Sequence, residues 1–218
     1  YMPRVFLKAR EPFSSYSHFV GAVLSGVGLF AMLIRMLNID TANGQMAASV
    51  IIFCLSLIGL YSASSVYHYS CRDEKTLRRL KKLDHSMIYV LIAGSYTPIV
   101  LCYMRPPHNY GFLALIWLIA AAGIAVKLVW IDAPRFLGTA LYLALGWAIV
   151  LDFDVVLSMP APAIALLAAG GIFYTIGGVI YIAKRPNLSP LFGFHEIFHL
   201  FVIAGSICHY LMVFLYVL

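Results

Sequence analysis

Seven apolar runs, each long enough to cross a lipid bilayer as a helix, take up most of this 218-residue chain. A membrane-spanning helix needs about 20 mainly apolar residues. Asp152 and Asp154 interrupt the end of the fifth run, so six or eight spans remain alternatives to seven. The predicted fold is all-α and integral to the membrane, a single seven-transmembrane-helix bundle over residues 1–218. The predicted spans are 19–37, 46–69, 84–103, 110–130, 136–157, 161–183 and 192–218.

The low content of charged residues excludes an ordinary soluble domain. Only 11% of the residues are charged and 62% are hydrophobic, whereas soluble domains carry roughly 25% charged residues. The net charge of +6 does not indicate nucleic-acid binding, because much of the positive charge lies in one short connection between apolar runs. This basic segment, residues 72–82, is suited to anionic lipid headgroups. Its six basic residues are Arg72, Lys75, Arg78, Arg79, Lys81 and Lys82.

The distribution of the basic residues predicts one orientation in the membrane. With the N-terminus inside, thirteen of the 15 Lys and Arg residues fall in inner segments, and only Arg35 and Arg105 fall outside. Lys and Arg are concentrated in cytoplasmic connections of membrane proteins. We therefore expect a cytoplasmic N-terminus and, after seven crossings, an external C-terminus.

Four chemistry-bearing residues fall at one membrane surface in this topology. His68 ends the second span, Asp84 opens the third, and His195 and His199 open the seventh. Ionisable groups are costly inside a membrane and therefore indicate a functional site. Residues four apart lie on one helix face, so His195 and His199 can bind one metal together. With His68 they form a three-histidine set of the kind that catalytic zinc prefers, and Asp84 is left to bind the metal or its water.

Other interpretations of these residues remain open. Residues 195–199 also match the HExxH pattern of zinc proteases, but such a protease needs a further acidic ligand, and Asp152 and Asp154 are expected at the opposite surface. A histidine in a membrane helix is often a hydrogen-bonded packing residue. We expect that role for four histidines. His18 and His85 lie at the same predicted surface as the site and could support it, whereas His108 and His209 lie away from it.

Several short motifs resemble those of the hemolysin III group of the progestin and adipoQ receptor family. They are residues 64–68 (SSVYH), 83–89 (LDHSMIY), 94–98 (GSYTP) and 195–199 (HEIFH). Glu11-Pro12, followed by Ser17-His18 and Gly21, also resembles the start of hemolysin III sequences. The resemblance covers nearly the whole chain.

The resemblance implies a Zn²⁺ ion near the inner leaflet, held by His68, His195 and His199. Asp84 would then hold the zinc-bound water or act as general base, and Ser64 would support the site. Adiponectin receptors and alkaline ceramidases of this kind are regarded as lipid amide hydrolases. The expected function is therefore a zinc-dependent, ceramidase-like hydrolase of lipid amide or fatty-acyl substrates in the cell membrane, the inner membrane if the source is bacterial. The alternative is a non-catalytic, zinc-stabilised protein that senses lipids, serves membrane homeostasis or perturbs membranes as a hemolysin does.

Overall fold

A computed structural model of the chain describes residues 2–40, 42–189 and 192–218. Within these ranges the chain forms helices and no β-strand, apart from an isolated bridge between Ser189 and Phe192. Two short 3₁₀-helices, Phe6–Lys8 and Ala148–Leu151, accompany the α-helices. The α-helices are α1 (Pro12–Met36), α2 (Gly44–Tyr69), α3 (Glu74–Tyr103), α4 (His108–Val129), α5 (Arg135–Gly146), α6 (Phe153–Ser158), α7 (Ala161–Ala183) and α8 (Phe194–Tyr216).

Six of these helices in the described ranges are long and apolar enough to cross a membrane, namely α1, α2, α3, α4, α7 and α8. The expectation of an all-α membrane protein is thereby confirmed at the level of six candidate spans. Helix α3 begins at Glu74, ten residues before the predicted span. The predicted span omits these first turns because they carry the basic segment and are not apolar. The Asp73 side chain caps this extension by accepting a hydrogen bond from the Thr76 backbone N–H at 3.0 Å.

Helix α1 shows the inverted burial pattern of a lipid-exposed helix. Its large apolar side chains, such as Val23, Val27 and Phe30, are exposed. Its buried face consists mainly of small or polar residues: Ser14, Ser15, His18, Gly21, Ser25, Gly28 and Met32. Small residues allow helices in a bilayer to approach closely, while the lipid solvates the large side chains. The exposed apolar surface is therefore the surface expected to face hydrocarbon.

Close contacts fasten α1 to α2 and α8. Ser15 and Ser65 donate reciprocally to each other's backbone carbonyl oxygen, at 3.0 and 2.9 Å. The Tyr210 hydroxyl of α8 donates to the Gly28 carbonyl oxygen at 3.1 Å. Helices α2, α3 and α4 follow as sequential neighbours, α5 packs on α3, α4 and α7, and α7 packs on α8. The contacts between α8 and α1 close the bundle into a ring.

The predicted fifth span, 136–157, is not one continuous helix. It consists of α5, the 3₁₀-helix Ala148–Leu151 and α6. Tyr96 of α3 provides a physical reason, because its hydroxyl replaces the missing helix hydrogen bonds. The hydroxyl donates to the Gly146 carbonyl oxygen at 2.8 Å and accepts from the Ile149 N–H at 2.8 Å. Irregular backbone at membrane depth is tolerated where the protein satisfies its polar groups in this way.

The broken segment runs from one end of the bundle to the other. Arg135, at its start, lies 5.7 Å from the centre of the Phe194 ring at the start of α8. At its finish, the Ser158 hydroxyl donates to the carbonyl oxygen of Tyr103, the last residue of α3. The start of α5 therefore lies at the same end of the bundle as the start of α8. The starts of α1 and α3 and the end of α2 lie at this end too.

Candidate metal centre

Helix α8 carries two of the candidate ligands in its first turns. Its start at Gly193 is fixed by Glu196, whose Oε2 accepts a hydrogen bond from the Gly193 N–H at 2.9 Å. Glu196 Oε1 accepts a second hydrogen bond, at 3.0 Å, from the Ser14 hydroxyl of α1. With the helix start held, His195 and His199 lie one turn apart, with ring centres separated by 4.7 Å and ring planes tilted by 53°. Both oxygens of Glu196 are used structurally, which disfavours the general-base role of the zinc-protease motif.

His68, in the last turn of α2, completes a group of three histidines. Its Nε2 lies 3.4 Å from Nε2 of His195. One nitrogen from each of His68, His195 and His199 lies within 4.8 Å of the other two. His68 and His199 are buried, whereas the His195 side chain is 26% exposed. The three predicted ligands therefore converge, and this triad could hold a metal ion.

The donor set of the triad fits zinc. Zinc binds imidazole nitrogens at about 2.0–2.1 Å with tetrahedral geometry, which places two ligand nitrogens roughly 3.4 Å apart. The separation between His68 and His195 agrees with that value. In addition, Nδ1 of His199 is buried without a hydrogen-bond partner in the described residues. A buried polar atom without a partner is costly, and a cation shared by the three imidazoles would supply that partner.

Glu11 is a member of the site that sequence analysis did not identify. It precedes α1, and its Oε2 lies 2.6 Å from Nδ1 of His68. Its backbone N–H also donates to the His68 carbonyl oxygen at 3.0 Å. A carboxylate on the far ring nitrogen fixes the tautomer and orientation of a metal-binding histidine. In the sequence, Glu11-Pro12 belongs to the start that resembles hemolysin III, but no local signal places this carboxylate beside His68.

The charge of Glu11 is itself stabilised by the site. Burial raises the pKa of this carboxyl group, but the hydrogen bond and charge of His68 outweigh that effect, assisted by the charges of His195 and Arg10. The resulting pKa of Glu11 is lowered from 4.5 to about 2. Glu11 is therefore ionised at neutral pH and accepts the Nδ1 proton of His68, which leaves Nε2 of His68 free to bind a cation.

Two cavities meet at the triad. An apolar chamber of about 310 Å³ is lined by His195 and His199 and extends along α8 to His209. A vestibule of about 620 Å³ lies at the helix ends and is lined by His68, His195 and several charged side chains. Asp84 and His195 line both spaces. The site therefore lies at the junction of an apolar and a polar space.

Asp84 and Ser64, which the sequence predicts to support the site, lie in the wall of the apolar chamber. Both are buried, with 8% and 2% exposure, and both line the apolar chamber. Ser64 lies one helical turn before His68 on α2, which brings it to the same side of that helix. Among the acidic residues of the described chain, Asp84 is the one that borders both spaces, and it shares the chamber lining with His199.

The remaining histidines have different environments. The His18 ring stacks on His199, with centres 3.7 Å apart and an angle of 13° between the planes. His85 lines both cavities. His108 lies at the other end of the bundle, with Nε2 2.8 Å from Asp152. His18 and His85 therefore border the site, as their predicted membrane surface suggested, and His108 does not.

Comparisons with known proteins identify the family of this chain. A family model described as haemolysin-III related matches residues 6–210. This chain belongs to the haemolysin-III-related family. It is 32% identical over 206 residues to Hemolysin-3 of Bacillus cereus, covering 94% of this chain and 90% of that protein. It is also 32% identical over 213 residues to the Hemolysin-3 homolog of Bacillus subtilis strain 168, covering 97% and 96%.

A more distant similarity reaches animal proteins. The human monocyte to macrophage differentiation factor is 29% identical over 170 residues, which cover 76% of this chain and 68% of that protein. The predicted membership in the hemolysin III group of the progestin and adipoQ receptor family is thus confirmed. The haemolysin-III-related family and the six apolar helices together identify a multi-pass protein of the cell membrane.

Proposed function

We propose that this protein is a zinc-dependent hydrolase of lipid amides or related acyl lipids. The observation that carries the proposal is the position of the histidine triad, which lies at the junction of an apolar chamber and a polar vestibule. A site built only to tie helices together has no need of a chamber leading to it. Enzyme sites are concave and mostly apolar, with a few convergent polar groups.

The proposed topology has seven crossings, with the N-terminus in the cytoplasm and the C-terminus outside. Support comes from the broken segment of α5 and α6, which runs between the two ends of the bundle. It would add a crossing to the six long helices, between α4 and α7. The excess of basic residues at the end that holds the triad favours the cytoplasmic assignment for that end. Substrate would then enter from the inner leaflet.

His68, His195 and His199 would hold the zinc ion, and Glu11 would orient His68. When bound, zinc acts as a Lewis acid toward a carbonyl group and lowers the pKa of a water molecule to about 7. Asp84 would accept a proton from the attacking water as the water oxygen bonds to the acyl carbon. The carbon–nitrogen bond then breaks, and Asp84 returns the proton to the leaving nitrogen. The products are a fatty acid and an amine.

The apolar chamber is suited to the acyl chain of such a substrate. His199 and His209 both line it and are ten residues apart on α8, which corresponds to about 15 Å along the helix. That length is about half of the hydrocarbon core of a bilayer, roughly 30 Å thick. Its apolar lining comes from several helices and includes Leu91, Ile149, Val156, Ile164 and Leu167.

The exposed basic segment, residues 72–82, is proposed to bind anionic lipid headgroups at the membrane surface. Arg78 and Lys81 are partly neutralised by Asp132, at 2.7 and 3.4 Å. Lys75 and Arg79 are exposed. Each basic residue near an anionic surface contributes about 1 kcal/mol to membrane attraction.

The test of the proposed hydrolase is turnover of a defined N-acyl amide by purified protein, read together with its metal content. Asp84→Asn should keep the zinc and lose about 10²- to 10⁴-fold in turnover, because the proton acceptor is removed and the triad is not. His195→Ala should lose both zinc and turnover. Asp154→Asn, an exposed carboxylate on α6, is the matched control and should behave as wild type.

The outcome separates the two candidate functions. Equal turnover by wild type and Asp84→Asn would refute the catalytic assignment. Zinc that stabilises the protein without any turnover would support the non-catalytic alternative, because metal binding then contributes only folding free energy.

A further inference from the structure

Lys127 is a buried cation near the end of α4. It is 5% exposed, and it forms no ion pair or hydrogen bond with any residue in the described part of the chain. Its Nζ lies 5.7 Å from the centre of the Tyr142 ring, and its side chain lines the vestibule. A charge placed inside a membrane protein is costly unless it has a partner. Lys127 therefore presents an unmatched positive charge to the vestibule.

The backbone of α5 leaves space for this ammonium group. A Cβ atom added at Gly138 would lie 2.7 Å from Lys127 Nζ. Contacts that close require the lysine to move. Gly138 itself lines the vestibule, so the position of the ammonium group depends on the missing side chain at this residue.

Two further cations line the same wall. Arg135 lies over the Tyr181 ring, at 5.2 Å, and has no carboxylate partner in the described ranges. One carboxylate, Asp132, serves both Arg78 and Lys81. Lys127 and Arg135 are therefore two cations of the vestibule lining that have no carboxylate partner in the described residues.

Two further acidic residues that line the vestibule, Glu11 and Glu196, are engaged by other groups. Glu11 contacts His68 and Arg10. Glu196 accepts hydrogen bonds from Ser14 and from the start of α8. They hold the metal centre together and do not pair with Lys127. Asp84, which also lines the vestibule, is the proposed proton acceptor of the metal centre. Lys127 and Arg135 therefore face the vestibule with no carboxylate partner in the described residues.

We propose that the vestibule binds the anionic headgroup, a phosphate or carboxylate, of the lipid whose acyl chain lies in the apolar chamber. The inference rests on the proposed hydrolase, because it assigns the substrate class of the same site. The preferred substrate is then an N-acyl amide with an anionic headgroup, in contrast to a neutral lipid amide. Lysine binds phosphate as a point charge, and arginine adds paired N–H donors.

The test compares the binding of two lipids, N-palmitoyl-O-phosphoethanolamine and N-palmitoylethanolamine. They share the acyl amide and differ in the headgroup, which carries an anionic phosphate in the first and a neutral hydroxyl in the second. Native mass spectrometry of the purified protein separates bound intact lipid from hydrolysis products, so binding is read independently of turnover. Wild type should bind the phosphorylated amide at least tenfold more tightly. Lys127→Met should lose about 10- to 100-fold of that affinity and bind the neutral amide as wild type does, since a hydrogen bond to a charged group contributes about 1.5–3 kcal/mol.

Gly138→Ala provides a second variant, because it keeps the charge and makes the flexible end of Lys127 shift. It should reduce the preference for the phosphorylated amide, but by less than Lys127→Met does. Lys184→Met, which changes an exposed lysine just after α7 that does not line the vestibule, is the control and should retain the preference. Equal binding of both lipids by wild type, or an unchanged preference in both variants, would overturn the inference. Tight binding of inorganic phosphate alone would also overturn it, because the site would then recognise a free anion. A Lys127-dependent preference without any turnover would leave the headgroup site intact and refute only the hydrolase.

Discussion

Replacing Glu11 by glutamine tests whether the triad is a metal centre held by its surroundings. The substitution preserves the shape of the side chain and its ability to accept a hydrogen bond, but it removes the negative charge. Glu11 Oε2 lies 2.6 Å from His68 Nδ1, and a hydrogen bond to an ionised acceptor is about twice as strong as a neutral one. Loss of the charge therefore weakens both the orientation and the basicity of His68.

The expected magnitude follows from the position of Glu11 behind a ligand. Changes to such supporting groups typically reduce metal affinity by 10- to 100-fold, which corresponds to about 1.4–2.7 kcal/mol. Glu11 has a folded-state pKa of about 2, below its ordinary value of 4.5. A lowered pKa means that the contribution of the charge is present above about pH 4.5 and is lost as the pH falls toward 2. Because histidines must be deprotonated to bind a metal, the zinc affinity of both proteins falls as the pH is lowered. Wild type and variant are therefore compared at neutral pH, where Glu11 is ionised.

The assay is a competition titration of zinc between purified protein and a chromophoric chelator. Glu74→Gln, an exposed carboxylate at the start of α3, serves as the matched control and should bind zinc as wild type does. Wild-type affinity in Glu11→Gln would refute the idea that this carboxylate supports a ligand. An equal loss in Glu74→Gln would show instead that general electrostatic attraction accounts for the effect.

Two further predictions concern the packing that positions the site. Gly21→Ala places a Cβ 2.9 Å from the Tyr61 ring and should destabilise the protein by about 1–3 kcal/mol, measured by thermal unfolding in detergent. Gly26→Ala on the same helix is the control: its Cβ meets nothing within 4 Å, so the unfolding midpoint should be unchanged or higher. Tyr96→Phe removes the hydroxyl that bridges α5 to Ile149 and should cost about 1–3 kcal/mol in the same assay, because buried backbone groups lose their partner; an unchanged midpoint would mean that the break in the fifth span does not depend on Tyr96.

Much of the architecture could be predicted because bilayer depth and helix periodicity act locally on the sequence. Run length alone located the six long helices, and the four-residue spacing of His195 and His199 placed both on one face of α8. The convergence of His68 followed from the direction of the predicted spans, since four crossings, an even number, separate the end of α2 from the start of α8.

The remaining features depend on contacts between distant segments. The break after Gly146 requires the hydroxyl of Tyr96, fifty residues earlier, and no local property of the run specifies it. The role of Glu11 requires the start of α1 to lie against the end of α2. A single glutamate before a proline carries no periodic signal, so this interaction becomes visible only when the helices are packed.

The distribution of burial within the triad bears on its proposed chemistry. His68 is held by Glu11 and His199 is covered by the His18 ring, so two ligands are fixed on their outer sides. His195 is the partly exposed member and borders both the chamber and the vestibule. A molecule that fills both spaces must have an apolar chain and a polar head, with the bond between them near His195 and Asp84. A purely structural zinc site requires neither the open ligand nor the second space, so the shape of the cavities supports cleavage of an amphiphile at its head-to-chain junction.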